Sequence, residues 1–174
     1  MKTIKLVFIF IVVATLCSCN PCRRGPWHEY LLDLSFQDAS GNDLLSGIEY
    51  DAYLYDPHRG TIKKELMHLS IYYDGIYSLS SVALGEIAVS IHQKSDSIYY
   101  IAQDFAFNKC DPYVDKIIFR VRCPYVFGDN YIHEIITYWR PAKNDFFECY
   151  RIEYEGKEIT EIKNNIGIII LEGR

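Results

Sequence analysis

From residue 30 onward, apolar and polar positions alternate with a period of two, and clusters of turn-forming residues break the runs at short intervals. Tyr30, Leu32, Leu34 and Phe36 fall on one side of a first predicted strand, with Asp33 and Ser35 on the other. Side chains of a strand point alternately to its two faces, so this pattern predicts one buried and one solvated face. Ile48, Tyr50, Ala52 and Leu54 alternate with Glu49, Asp51, Tyr53 and Tyr55 in the same way. Leu66–Tyr73 and Ile76–Leu79 flank Asp74-Gly75, the signature of a two-residue hairpin, because both central residues must take positive φ. Further strands are predicted around Ile87–Ile91, Ile98–Ala102, Lys116–Cys123, Tyr131–Trp139, Phe146–Tyr154, Ile159–Ile162 and Ile166–Leu171. The last is apolar on both sides, which suits a covered strand. No window carries a helical stripe. The expected fold is all-β: a single antiparallel β-sandwich over residues 30–174, with a closed β-barrel as the alternative.

The first 29 residues follow another rule. Lys2 and Lys5 precede an apolar run from Leu6 to Leu16, which ends in Cys17-Ser18-Cys19. A basic head, a short apolar segment and small residues make an export signal, too short to remain as a membrane-spanning helix. Leu16-Cys17-Ser18-Cys19 resembles the lipobox of bacterial lipoproteins. That resemblance implies removal of residues 1–18 and a diacylglycerol on the Cys19 thiol. It also implies acylation of the new amino group, giving a stable anchor without a helix. Residues 19–29, with Pro21, Gly25 and Pro26, read as a tether. Asn20 follows the modified cysteine and no acidic run comes after it. By the same resemblance the expected address is the outer membrane, on its periplasmic side, with the cell surface as the alternative.

Processing leaves 156 of the 174 residues, enough for one core, and 16 basic against 23 acidic side chains, a net charge of −7. That balance excludes nucleic acid as a natural partner. Four other mature cysteines remain: Cys22, Cys110, Cys123 and Cys149. An oxidising compartment favours disulfides, and four cysteines allow three pairings. The expectation is Cys123–Cys149, both beside strands of the C-terminal region, which leaves Cys22 with Cys110.

Two stretches carry further resemblances. Leu34 to Leu44, a strand followed by Asp and Gly turn residues, looks like the opening hairpin of prealbumin-like and carboxypeptidase-regulatory-like sandwiches. Cys123-Pro124-Tyr125-Val126-Phe127-Gly128-Asp129, His133-Glu134-Ile135, Thr137-Tyr138-Trp139 and Cys149-Tyr150-Arg151-Ile152 together are similar to a group of small uncharacterised bacterial lipoproteins. What these imply is a prealbumin-like or Ig-like sandwich, and no activity comes with them.

Catalytic signatures are missing from the sequence. His133-Glu134-Ile135-Ile136-Thr137 begins like the zinc-protease helix motif but has Thr at its fifth place. It also reads as a strand, on which positions i and i+4 lie about 13 Å apart. No nucleophile elbow or phosphate loop is present, so an enzyme, a metal or a cofactor is not expected. The unusual feature is aromatic content, 15 Tyr, 9 Phe and 2 Trp. Tyr53, Tyr55, Tyr72 and Trp139 lie on polar-facing or turn positions and are the candidates for stacking on a ligand. The expected function is a membrane-anchored envelope lipoprotein that binds a protein or has a structural use. The alternative is a carbohydrate-binding lipoprotein that uses those four rings.

Overall fold

The computed structural model describes residues 27–74, 81–86, 88–94, 98–108, 113–159, 162–163 and 165–173. Cys19, Cys22 and Cys110, and with them the lipobox and most of the tether, lie outside the described residues. The described strands are β1 (Trp27–Asp38), β2 (Tyr50–Tyr53), β3 (Asp56–Ile62), β4 (His68–Asp74), β5 (Ser81–Glu86), β6 (Ser90–Gln93) and β7 (Tyr99–Asn108). They continue with β8 (Lys116–Arg122), β9 (His133–Pro141), β10 (Phe146–Tyr154), β11 (Lys157–Ile159), β12 (Ile162–Lys163) and β13 (Ile166–Leu171). A one-turn helix, α1 (Pro124–Phe127), joins β8 to β9. The protein is all-β, as its alternation predicts.

The strands form one open, mostly antiparallel sheet in the order β2-β3-β6-β7-β1-β10-β9-β8-β4-β5. Its path starts at β2 and ends at β5 without closing among the described residues. A purely antiparallel sheet is corrected at one place. Glu29 and Tyr30 of β1 pair in parallel with β10, and from Asp33 to Asp38 the same edge pairs in parallel with β13. A strand of this length, roughly 36 Å from end to end, has room for two successive neighbours. Past the fork β13 runs close to the Ile152 side chain of β10. A Cβ placed on Gly167 would come within 2.3 Å of Ile152 Cδ1 and 3.2 Å of Leu34 Cδ2, so a larger residue there would have to push both side chains aside.

The core follows from the alternation. Leu32, Leu34 and Phe36 of β1, Ile117, Phe119 and Val121 of β8, and Ile135, Thr137 and Trp139 of β9 are buried. In β10 the phase slips: Phe147 and Cys149 are buried, then Ile152, because a bulge lies between Cys149 and Arg151. A bulge inserts one extra residue into a strand and shifts the face of all that follow.

Two expectations are corrected by the register. Asp74 pairs with Ser81, so the connection from β4 to β5 runs through residues 75–80, outside the described residues, and is no two-residue hairpin. The strand expected at Ile76–Leu79 falls in that gap. Cys123 and Cys149 are both buried and are not bonded to each other. Cys149 pairs with Trp139, whose N–H donates to Asp115 O at 2.8 Å, whereas Cys123 follows the opposite end of β8. Eight residues of strand separate the two levels, about 26 Å. A disulfide needs Cα atoms within about 7 Å.

Register also gives the domain two poles. The start of β1, the end of β7, the start of β8 and the β9–β10 connection lie at one, called the tether pole after the tether expected to precede β1. The end of β1, the β2–β3 turn, α1, the start of β9, the β10–β11 turn and the end of β13 lie at the other.

Candidate functional site

At the far pole the chain builds a polar cluster around His133. Pro124 opens α1, where a missing N–H costs nothing, and Gly128 closes it in the left-handed conformation with φ 79°. The Tyr125 hydroxyl ties this turn to the loop after β1 by donating to Ser46 O at 2.7 Å. Phe127 packs its edge on Phe36, with ring centroids 5.5 Å apart, and its face under the imidazole of His133 at 3.9 Å. The reversal at Gly128 returns Asp129 over the start of β9. One carboxylate oxygen there accepts from the Tyr131 N–H at 2.9 Å and meets His133 Nε2 at 3.0 Å.

The other wall comes from the end of β10. The Tyr154 hydroxyl meets His133 Nδ1 at 2.9 Å, and Glu155 Oε1 lies 3.4 Å from the same nitrogen. Glu155 and Gly156 form the β10–β11 hairpin with φ of 50° and 74°. Positive φ at both central residues is what a tight hairpin needs, and glutamate is a poor occupant of the first place. Burial, then the Glu155 carboxylate, push the Tyr154 hydroxyl well above the usual phenol range, so it stays protonated and serves as a hydrogen-bond donor. A neutral imidazole that donates through Nε2 to Asp129 can accept this proton at Nδ1.

Both imidazole nitrogens are therefore occupied by side chains. Among the described residues no group of three His, Cys, Asp or Glu side chains could hold a metal ion. A cleft of about 330 Å³ opens beside His133, with Phe127, Ile159 and Leu171 as apolar lining and Glu155, Lys157 and Glu172 as polar lining. A second depression of about 250 Å³ shares His133 and Glu155 with it and adds Ile132, Ile136, Glu134 and Glu153. Tyr131, 77% exposed, Ile132, 63% exposed, and the half-exposed Ile170 stand around the two.

The four rings read from the sequence do not form one surface. Trp139 is 1% exposed and belongs to the core. It packs on Tyr30 with centroids 5.2 Å apart, and its Nε1–H donates to Thr137 Oγ1 at 2.8 Å. Its position is corrected by the period-two phase it shares with Ile135. Tyr72 lies outward on β4, covered by the Arg120 guanidinium 4.6 Å from its centroid, and Arg120 bonds Glu134 at 2.7 Å. The Tyr53 hydroxyl is hydrogen-bonded by Thr61 and Ser90, which holds it below the usual phenol range. Tyr55, 94% exposed, and Leu54, 85% exposed, form the β2–β3 tip at the opposite end of the strand order from Tyr72. His133 and Glu134 do lie on a strand, as expected, and face different partners.

Asp129, Tyr154 and Glu155 escape sequence reading as a site, since the turn at Gly128 and the antiparallel β9–β10 register, rather than any motif, bring them to His133. The one local signal is Gly128-Asp129 and Glu155-Gly156, two turn pairs bearing carboxylates. Compared with known proteins, the chain matches no family model, no curated protein and no solved structure.

Proposed function

We propose that this chain is an envelope lipoprotein, anchored by lipid on Cys19 in the outer membrane on its periplasmic side, whose β domain binds another protein. The domain is read as a two-layered sandwich of prealbumin-like or Ig-like type. The close approach of Gly167 on β13 to the Ile152 side chain of β10, a strand it does not pair with, supports two layers. One observation carries the binding reading: Leu54, Tyr55, Tyr131 and Ile132 stand exposed at the pole farthest from the tether. Large apolar side chains left in water favour a partner that covers them, and these four include the most exposed of the described large apolar residues. The sugar-stacking alternative gains nothing from Trp139 in the core and Tyr72 under Arg120.

The test is photo-crosslinking in intact cells from a reactive residue at position 55 or 131, with position 113 at the tether pole for comparison. Discrete protein adducts from the far positions, absent from position 113, are expected. Their absence from both far positions would overturn the binding reading. The anchor is tested separately: Cys19→Ala should abolish incorporation of labelled palmitate, and labelling that persists removes Cys19 as its site.

A further inference from the structure

We infer that the twin depressions around His133 take a basic segment of a protein partner, one in which lysine or arginine side chains are interspersed with apolar ones. This rests on the protein-binding reading and names the partner's chemistry. The two depressions are lined by five carboxylates (Asp129, Glu134, Glu153, Glu155 and Glu172) against one ammonium, Lys157. Two further cations stand just outside the linings: Arg120 pairs with Glu134, and Arg151 with Glu153. Carboxylates remain in excess after both are counted. Lys157 meets Glu172 only at 3.4 Å, with both side chains more than three-quarters exposed, so an incoming cation displaces it at little cost.

The surface is also apolar. Phe127, Ile159 and Leu171 line one depression, Ile132 and Ile136 the other, and Tyr131 stands beside them. An anionic ligand is repelled here, and a purely apolar one desolvates Glu155 and Glu172, whose basic partners stand only at 3.4 Å. A basic segment with apolar side chains satisfies both halves of the lining. Opposite charge also speeds encounter and rejects acidic competitors. Glu155, which belongs to both depressions, is the residue on which binding should depend most.

The experiment uses the full lipidated chain in a non-ionic detergent and a fluorescent nine-residue peptide of three Lys-Leu-Ser repeats, with Glu-Leu-Ser as its counterpart. Fluorescence anisotropy should show binding of the lysine peptide alone, weakened at least tenfold by Glu155→Asn. Asparagine accepts positive φ more readily than glutamate, so this variant keeps the hairpin while removing the charge, and an unchanged or raised urea midpoint verifies it. Equal binding of both peptides, or undiminished binding by Glu155→Asn, overturns the inference. Far-pole crosslinks in cells with no lysine-peptide binding would leave the protein-binding reading standing and remove the basic segment. Absence of far-pole crosslinks removes the reading itself.

Discussion

The two poles pack their aromatic rings differently. At the tether pole a buried group of rings faces inward, with the half-exposed Tyr113 and Phe146 at its margin. Tyr30 stacks on Phe147 at 4.6 Å and meets Trp139 and Phe107 edge-on, each at 5.2 Å. Its hydroxyl is used internally, accepting the Val114 N–H at 3.0 Å. At the far pole Phe127 stacks on one face of an imidazole whose nitrogens meet Asp129 and Glu155, Tyr154 lies at that ring's edge, and Tyr131 and Tyr55 are exposed. Apolar burial stabilises in proportion to area removed from water, whereas a half-solvated polar cluster contributes little net free energy. The comparison therefore separates a pole that holds the fold from the pole that carries the proposed binding surface.

The largest effect expected is at the first of these. Trp139→Ala removes a fully buried ring that packs on Tyr30 and leaves the Thr137 hydroxyl without its donor, so a loss of about 3–5 kcal/mol follows. Urea unfolding would measure it. A loss below about 1 kcal/mol would break the division, because stability would then not reside at this pole. His133→Ala comes next. It takes the partner from Tyr154 and Asp129 and one ring from the stack on Phe127, at a cost of about 1–3 kcal/mol. A His133→Ala loss equal to that of Trp139→Ala would mean the far pole is as much a core as the other.

Alkaline titration sharpens the comparison further. Burial pushes the Cys149 thiol up to about 12 from its ordinary 9.0, and burial likewise pushes the Tyr30 hydroxyl up to about 12. Both groups are held neutral in the folded chain, whereas the unfolded chain ionises them earlier. The sign follows: their stabilisation is fully present below pH 9 and is lost as pH rises toward 12. Each group steepens the fall by up to about 1.4 kcal/mol per pH unit. Cys149→Ala should flatten the decline between pH 9 and 10, where the thiol titrates ahead of tyrosine. An unchanged slope would mean that Cys149 is not held neutral.

Strand alternation made the tether pole legible and left the far pole mostly hidden. β1, β8, β9 and β10 follow from the period of two, and the phase that buries Ile135 and Thr137 also buries Trp139. Nearness to a turn hid that from the sequence reading. β3 was missed because Asp56, Pro57, His58 and Arg59 carry no apolar alternation; this strand is held by pairing with β2 and β6. The parallel fork of β1 joins residues more than 100 positions apart, and no local pattern announces it. That fork does not build the site: the β9–β10 hairpin pairs Tyr154 with Ile135 and so brings Tyr154 and Glu155 to His133, while Asp129 reaches it from four residues away. The hairpin is legible in the alternation, but nothing in the local pattern announces that its turns aim three polar side chains at the imidazole.

The smallest effect on stability should accompany a large effect on function. Leu54 and Tyr55 occupy the β2–β3 turn, where Tyr53 pairs with Asp56 and most of both side chains is already in water. Replacing them by serine removes almost no buried area, so the Leu54→Ser/Tyr55→Ser pair should unfold within about 0.5 kcal/mol of the parent chain. Crosslinking from position 131 in that background then decides how far the recognition surface reaches. Adducts lost at 131 would join the hairpin tip and the His133 depressions into one interface, bridged by the Tyr125–Ser46 tie between α1 and the loop after β1. Adducts retained at 131 would confine recognition to the depressions. A loss of several kcal/mol would instead make the tip part of the folded core and remove the ground for calling it a recognition element.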